Sequence, residues 1–330
     1  MSSAPVVPRP RRIIFMGTPA ISVPSLEALV RSGESVVGVV TQPDRPAGRG
    51  RSAAAPPVKR AAERLGLAVL QPPTLRRRSV VDELRALRPD IIAVVAFGQL
   101  LRPDVLSLPP LGCVNLHPSL LPKLRGPTPI NWAILEGLEE TGVTVMTVDE
   151  RMDAGPILAQ AAARVLPDDT AESLGARLAE LGAELLARTV HEWAKGRIAP
   201  VPQDDAGATY TRLLGREDGL IDWKLSAREI ERRARAFYPW PGAYTTWGGR
   251  LLKLLRVSVD DGSAAALPAQ MPGAVGGLVG PGRESLAVAT GAGSLLVSEL
   301  QVEGRRAVTA PEFVRGYPGI VGSQLGQSAA

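Results

Sequence analysis

The chain has 330 residues, of which 45% are hydrophobic and 22% charged, so it is long enough for two domains with sizeable cores. Its one cysteine, Cys113, excludes an internal disulfide, and together with two histidines it excludes a cysteine-rich zinc site. The net charge of +5 permits a polyanionic partner without requiring one, and no run of about 18 apolar residues predicts a membrane span.

The first part of the chain alternates short apolar runs with helical patterns. This alternation predicts βαβ units and an α/β, Rossmann-like fold with a mostly parallel sheet, whose strands are apolar throughout because helices cover both faces. A Pro-rich lead-in over residues 1–10 is expected to be disordered. The predicted strands cover residues 12–17, 36–42, 68–71, 90–97, 114–117 and 141–149, and the predicted helices cover 22–32, 58–66, 79–88 and 128–138, with a further helix capped at 168–170 and ending near 195.

The chain changes character after a cluster of Pro, Gly and Asp residues at 196–208. A predicted helix is followed by short β-type runs with frequent turns, which favours a small, OB-like β-barrel. We therefore expect an α/β domain over residues 11–196, a linker over 197–208 and a barrel domain over 209–330. The helix is predicted over residues 226–237, and the β-type runs over 242–247, 250–259, 273–279, 285–290 and 294–302.

Three polar residues near predicted strand ends form the candidate site. Asn115 and His117 lie two apart on one strand, so they share a face, and Pro118 ends that strand where open α/β sheets bind ligands. Asp153 follows the next strand in a Met-Asp-Ala-Gly-Pro turn. An amide, an imidazole and a carboxylate together can move protons. The alternative interpretation is a capping Asn, a structural His and a turn-forming Asp.

Several common catalytic motifs are absent from the sequence. The first predicted strand ends in Gly-Thr-Pro, so the GxGxxG fingerprint of a dinucleotide-binding dehydrogenase is missing. A GxxxxGK[ST] phosphate loop, a GxSxG elbow and an HExxH metal motif are missing as well. Phosphoryl transfer from ATP, covalent acyl transfer and metal-dependent hydrolysis are therefore poorly supported, and no metal is expected.

Seven strings of the sequence carry a family resemblance. They are RIIFMGTP (12–19), TQPDRPAGRGR (41–51), NLHPSLLPKLRG (115–126), VDERMDAG (148–155), IDW (221–223), RAFYPWPGA (235–243) and LQVEGRRAVTAPEFVRGY (300–317). Together they resemble the methionyl-tRNA formyltransferase family of folate-dependent formyltransferases. The resemblance covers about residues 11–318.

This resemblance implies an activity and a set of site residues. The formyl group of 10-formyltetrahydrofolate would be transferred to the α-amino group of methionyl initiator tRNA. Residues 11–196 would be the catalytic domain and 209–330 the tRNA-binding domain. In the matching positions, Asn115 and a protonated His117 would stabilise the oxyanion, and Asp153 would keep the imidazole charged. The folate contacts would be Phe97, Gly98, Gln99, Leu100, Ser119, Leu120, Leu121 and Pro122.

Basic residues in two regions are candidates for tRNA contact. The loop at 43–60 holds five basic residues and one acidic residue, and it is too polar to pack by itself. It is interpreted as an arm that orders on tRNA phosphates, with a solvated linker as the alternative. The helix at 226–237 has basic residues on one face, with an ion-paired surface helix as the alternative. The predicted tRNA contacts are Arg45, Arg49, Arg51, Lys59, Arg232 and Arg235.

Two other functions stay open at this stage. The same formyl chemistry could act on another amine, such as an amino-sugar nucleotide, which would leave the basic loop and the barrel unexplained. A non-enzymatic RNA-binding protein would leave the Asn-His-Asp set unexplained. We expect a monomer, because a two-domain enzyme of this size needs no partner to complete its cleft. A cytoplasmic location is expected, since a single cysteine fits a reducing compartment.

Overall fold

The computed structural model describes residues 10–47, 52–260 and 271–326. The chain divides into two compact units. The first unit comprises Met1–Pro129, Glu140–Arg164 and Gly175–Thr211, and the second comprises Ile130–Glu139, Val165–Leu174 and Arg212–Ala330. Within the described ranges, no helix has both the length and the apolar character needed to cross a membrane.

The strands described in the first unit belong to one large sheet and one small hairpin. They are β1 (Arg12–Gly17), β2 (Ser35–Val40), β3 (Arg45–Ala47), β4 (Ser52–Ala54), β5 (Val69–Leu70), β6 (Ile91–Val95), β7 (Cys113–His117), β8 (Glu140–Thr147) and β9 (Ile157–Arg164). The large sheet has seven strands in the order β5-β2-β1-β6-β7-β8-β9. The first five run parallel, whereas β8 and β9 pair in the antiparallel sense.

This sheet confirms the prediction of a mostly parallel α/β core. Strands β1 and β6 are apolar without alternation, and Ile13, Phe15, Ile91 and Ile92 are all fully buried. Such continuous burial is expected where helices cover both faces of a parallel sheet. Open α/β sheets bind ligands at the carboxyl ends of their strands, so polar residues that follow these central strands are candidates for a site.

Two strand features of the first unit were not predicted. Strand β9 was missed because half of its sequence, ILAQAAAR, is alanine, which has low strand propensity. Its pairing with β8 along nearly its whole length decides its conformation instead. The hairpin of β3 and β4 lies in the predicted loop 43–57, where Arg45 pairs with Ala54 across the two strands.

The helices follow the predicted positions closely. They are α1 (Val23–Arg31), α2 (Pro57–Arg64), α3 (Arg78–Ala86), α4 (Pro103–Leu106), α5 (Pro129–Leu135), α6 (Ala171–Ala194), α7 (Ala227–Ala236) and α8 (Ala310–Gly316). Helix α7 begins with a capping box, in which Ser226 accepts from the Glu229 N–H and the Glu229 carboxylate accepts from the Ser226 N–H. The short helices α4 and α8 were not predicted.

The second unit is rich in antiparallel strands, as predicted. They are β10 (Tyr244–Trp247), β11 (Arg250–Val259), β12 (Val275–Val279), β13 (Ser285–Ala289), β14 (Ser294–Val302) and β15 (Val308–Thr309). They pair in the order β10-β11-β14-β13-β12, with β15 added beside β14. Helix α7 contributes Ile230 and α8 contributes Phe313 to the core beneath this sheet. Trp247 packs edge-on against Phe313 and Tyr317 at the margin of that core.

Candidate active site

Strand β7 presents Asn115 and His117 on one face at its carboxyl end. Asn115 pairs with Val94 of β6 on one side and with Met146 of β8 on the other. The strand is buried except at Asn115, which is half-buried. Because alternate residues of a strand point the same way, the carboxamide and the imidazole share one side of the sheet.

His117 and Asp153 lie against each other in the structure. The Nδ1 atom of His117 is 3.7 Å from Oδ2 of Asp153. The opposite ring atom, Nε2, lies 2.9 Å from the carbonyl oxygen of Leu124. A carbonyl oxygen can only accept a hydrogen bond, so Nε2 carries a proton in every charge state of the ring. The proton that comes and goes is therefore the one on Nδ1, which faces the carboxylate.

Burial and neighbouring polar groups have opposite effects on the His117 imidazole. Only 4% of the residue is exposed. Loss of solvation lowers the pKa of His117 below its ordinary value, although the Asp153 carboxylate and the Leu124 carbonyl partly offset this effect. Desolvation and the carboxylate therefore act on the ring in opposite directions. The expectation that Asp153 keeps the imidazole charged stays a prediction.

Asp153 is held by the backbone of a tight turn. Its φ angle of +50° lies in the left-handed region, which Asp tolerates better than most residues. The N–H of Gly126 donates to its Oδ2 atom over 2.9 Å. Gly155, two residues later, leaves no room for a side chain, since a Cβ there would lie 1.9 Å from the carbonyl oxygen of Thr147. The turn thus fixes the direction in which the carboxylate points.

The predicted folate residues 119–122 follow β7 directly and are anchored from below. Ser119 is 1% exposed and donates to the Lys123 carbonyl oxygen over 2.7 Å. Thr144 of β8 donates to the Ser119 carbonyl and accepts from the Leu121 N–H. Leu121 is also buried, whereas Leu120 and Pro122 are partly exposed. Ser119 and Leu121 therefore shape the segment, and Leu120 and Pro122 offer surface to a ligand.

The predicted folate residues 97–100 follow the neighbouring strand β6. Phe97 is 2% exposed and belongs to the core, while its carbonyl oxygen accepts from Thr18 Oγ1 over 2.9 Å. Gly98 has a φ angle of +83°. Gln99 is tied to the chain at residues 72–75 by two hydrogen bonds. Leu100 is 82% exposed, so it is the side chain of this segment that a ligand can cover.

The predicted tRNA residues of the first unit fall partly outside the described chain. Arg49 and Arg51 lie in residues 48–51, which the structure does not describe. Arg45 is exposed and donates to Gln42 Oε1 over 3.3 Å. Lys59 forms an ion pair with Asp44 over 2.8 Å. The Lys59 charge is therefore partly neutralised within the protein.

Arg232 and Arg235 lie on helix α7 of the second unit. The Arg235 guanidinium pairs with Glu231 and donates to the Asp169 carbonyl over 2.9 Å, and its side chain is 18% exposed. The Arg232 guanidinium lies against the backbone of Gly137. Both arginines line an open cavity of about 370 Å³ that also holds Glu231. The ion-paired alternative thus describes Arg235 well.

Sequence reasoning missed several residues that support the pair. Leu124 and Gly126 contact His117 and Asp153 through backbone atoms, so their side chains carry no signal. Arg125 lies in the quoted string LPKLRG but was given no role. Gln203 lies in the predicted linker and had no motif to indicate it. Among the described residues, no group of three or more His, Cys, Asp or Glu side chains is placed to hold a metal ion.

Known proteins resemble this chain over most of its length. The model of the family "Formyl transferase" matches residues 11–190, and that of "Formyl transferase, C-terminal domain" matches residues 213–318. The methionyl-tRNA formyltransferase of Roseiflexus sp. (strain RS-1) is 50% identical over 97% of this chain and 97% of its own length. That of Citrifermentans bemidjiense is 45% identical over 97% of this chain and 98% of its own length.

A solved structure shares the fold at lower identity. HypX from Aquifex aeolicus, in complex with tetrahydrofolic acid, aligns with a TM-score of 0.60 and 17% identity over 93% of this chain. The alignment covers 47% of HypX, so this chain spans about half the length of that protein. The two family models and the near-full-length relatives show that the chain belongs to the formyl transferase family, among the methionyl-tRNA formyltransferases.

Proposed function

We propose that this protein transfers the formyl group of 10-formyltetrahydrofolate to the α-amino group of methionyl initiator tRNA, which yields N-formylmethionyl-tRNA for translation initiation. The observation that carries the proposal is the buried His117–Asp153 pair, with 3.7 Å between Nδ1 and Oδ2. Near-full-length similarity to methionyl-tRNA formyltransferases supports the choice of acceptor. A catalytic domain over 11–196, a linker over 197–208, a tRNA-binding domain over 209–330, a monomeric state and a cytoplasmic location belong to the same proposal.

The residues around the pair fit a folate. 10-Formyltetrahydrofolate supplies, when bound, a formyl group on a nitrogen that can leave. Residues 97–100 and 119–122 follow the adjacent parallel strands β6 and β7, so they lie at one edge of the sheet. Leu100 is 82% exposed there, and Leu120 and Pro122 are partly exposed. This surface offers apolar contact to the ring, while Phe97, Ser119 and Leu121 hold the backbone that carries it.

The neutral imidazole can take the proton that the attacking nitrogen must lose. The acceptor attacks as a neutral amine, after solvent has taken the extra proton of its ammonium form. Its nitrogen becomes positively charged as the bond to the formyl carbon forms, so one further proton has to leave it. Nδ1 of His117 is free to accept it, because Nε2 already donates to Leu124. Asp153, 3.7 Å away, stabilises the imidazolium that results. The same Nδ1–H then returns the proton to the leaving nitrogen as the C–N bond breaks.

Asn115 is placed to stabilise the negative charge that develops on the formyl oxygen. It shares the strand face of His117, so its amide NH₂ lies on the same side of the sheet as the imidazole. A single donor of this kind typically contributes about 10²–10³ in rate. In this proposal Asn115 donates to the oxyanion, His117 carries the proton, and Asp153 stabilises the charged form of His117.

Arginines outside this centre would hold the tRNA. Arg45, Arg49 and Arg51 follow strand β2, which runs parallel to the strands that carry the site, so the arm begins at the same edge of the sheet. Their charges suit phosphate groups. The same set of tRNA contacts includes Lys59, Arg232 and Arg235. Lys59 and Arg235 contribute less to tRNA binding, because each already forms an ion pair with an acidic side chain.

One assay tests the acceptor and the chemistry together. The purified protein is incubated with 10-formyltetrahydrofolate and either methionyl initiator tRNA or an amino-sugar nucleotide. We expect formylation of the tRNA alone, and its loss in His117→Ala protein that retains the wild-type thermal unfolding midpoint. Product with the sugar nucleotide only would select the other amine. No product with either, together with tight RNA binding, would select a binding protein without catalysis.

A further inference from the structure

Residues 201–211 pack onto the chain segment that supports the proton-transfer pair. The N–H of Arg125 donates to the Thr209 carbonyl over 2.8 Å, and the N–H of Thr211 donates to the Arg125 carbonyl over 2.7 Å. The Leu124 N–H donates to Thr209 Oγ1 over 2.8 Å. This segment lies between the two family-model matches, which end at 190 and resume at 213. It nevertheless pairs with the backbone that contacts both His117 and Asp153.

Arg125 is the buried centre of this arrangement. It is 2% exposed. Its Nε and Nη2 atoms donate to Gln203 Oε1 over 3.1 and 2.8 Å, and Nη2 also donates to Asp205 Oδ1 over 2.7 Å. Nη1 donates to the Tyr210 hydroxyl over 3.2 Å. A buried guanidinium with these partners fixes the position of Leu124 on one side and of Gly126 on the other.

Gln203 extends the arrangement to the turn that carries Asp153. Its Nε2 atom donates to the Asp153 carbonyl over 2.9 Å and to the Gly155 carbonyl over 2.8 Å. Its Oε1 atom accepts from Arg125. One amide therefore joins the turn of Asp153 to the Arg125 side chain, whose neighbours in the chain contact the imidazole and the carboxylate. Gln203 is half-buried, whereas the residues on either side of it are exposed.

We propose that Gln203 is a positioning residue for Asp153, and this assignment rests on the proposed function. Asp153 keeps a left-handed φ angle of +50°, a conformation that an unsupported turn would relax. The two hydrogen bonds to carbonyls 153 and 155 hold the turn in this conformation, with the carboxylate against His117. Gln203 touches no reacting atom in this role. It contributes by keeping the distance between His117 and Asp153 constant, and the rate of reaction is sensitive to such geometry.

Kinetics of three variants separate positioning from simple packing. Gln203→Ala removes both functions of the amide. Gln203→Glu keeps its size and its contact with Arg125, but it replaces the NH₂ donor with an acceptor that faces two carbonyls. We expect both to lower kcat by about 10-fold to 100-fold with KM for tRNA and for folate changed less than about threefold. Asp204→Ala, which alters an exposed neighbour whose carboxylate accepts from the Ala206 N–H, should behave as wild type.

The alternative outcomes contradict the proposal. Near-wild-type kcat in Gln203→Glu protein would mean that the residue only fills space or anchors Arg125. A rise in KM at unchanged kcat would assign Gln203 to substrate binding instead. Thermal unfolding midpoints for all variants show whether a loss of rate reflects a loss of folded protein.

Imidazole NMR gives a readout that needs no catalysis. The protein has two histidines, and His191 is 47% exposed, so it serves as an internal reference. The Asp153 carboxylate raises the pKa of His117, so Asp153→Asn should lower that pKa. The size of this decrease is the reference for complete loss of the carboxylate. We expect Gln203→Ala to shift the pKa of His117 in that same direction, with the pKa of His117 unchanged in the Asp204→Ala protein.

The two tests fail independently. An unchanged His117 titration, or an upward shift caused by water reaching the ring, would overturn the positioning role even in an active enzyme. A downward shift in a protein that formylates no tRNA would uphold the positioning role and remove the proposed function.

Discussion

Replacing Asp153 with asparagine removes one charge from the site and preserves its shape. Asparagine tolerates the φ angle of +50° and can still accept from the Gly126 N–H. The lost interaction is the attraction between the carboxylate and an imidazolium 3.7 Å away. That attraction is about 4.5 kcal/mol at an effective dielectric constant of about 20, and about 1.1 kcal/mol in bulk water.

The burial of both groups decides where the effect falls within that range. His117 is 4% exposed, and the Asp153 side chain is 18% exposed, so the higher value is the closer one. Since each 1.36 kcal/mol is tenfold in rate, we expect kcat to fall by about 10²-fold to 10³-fold. The loss appears in kcat because the imidazolium forms only after the amine has given up its proton.

The assay is an initial-rate measurement of tRNA formylation with both substrates saturating. Asp149→Asn is the matched control, since its carboxylate bonds to the Arg151 backbone on the same turn and is not in contact with His117. This control should stay within about threefold of wild type, as a surface change away from the reacting atoms does. A folded Asp153→Asn protein with kcat within about threefold of wild type would refute the proton-transfer role.

Three further outcomes follow from the structure and the sequence. Arg49→Glu combined with Arg51→Glu should raise KM for tRNA at least about tenfold and leave KM for folate unchanged, because phosphate contacts carry the tRNA affinity. A KM for tRNA equal to that of wild type would show that the arm does not bind tRNA. Gly155→Ala should lower the free energy of unfolding by about 1–3 kcal/mol, since its Cβ meets a carbonyl oxygen at 1.9 Å. Gly319→Ala, in open space, is its control in thermal melts. Burial raises the pKa of the Cys113 thiol to about 12, so alkylation of the native protein at pH 8 should be roughly 10³-fold slower than that of the unfolded chain. Equal rates would place the thiol at the surface.

The sequence by itself determined the α/β core and indicated where the candidate site lies. Continuous apolar runs such as those in 12–17 and 90–97 are typical of strands buried between helices, so their pattern predicts a parallel sheet. The two-residue spacing of Asn115 and His117 fixes a shared strand face, and the proline that follows ends the strand at that point. The string around Asp153 is one of those that carry the family resemblance. Spacing alone left open whether Asp153 is a catalytic carboxylate or only forms a turn.

The tertiary structure decided everything that depends on contacts between distant segments. Strand β9 forms because β8 offers a pairing edge, which outweighs the weak strand propensity of its alanines. The lowered pKa of His117 follows from burial, and burial of a side chain depends on the whole surrounding fold. The role of Gln203 arises from hydrogen bonds to backbone carbonyls fifty and forty-eight positions earlier in the chain. Every residue supplies the same carbonyl group, so no pattern of side chains in the sequence could have indicated these partners.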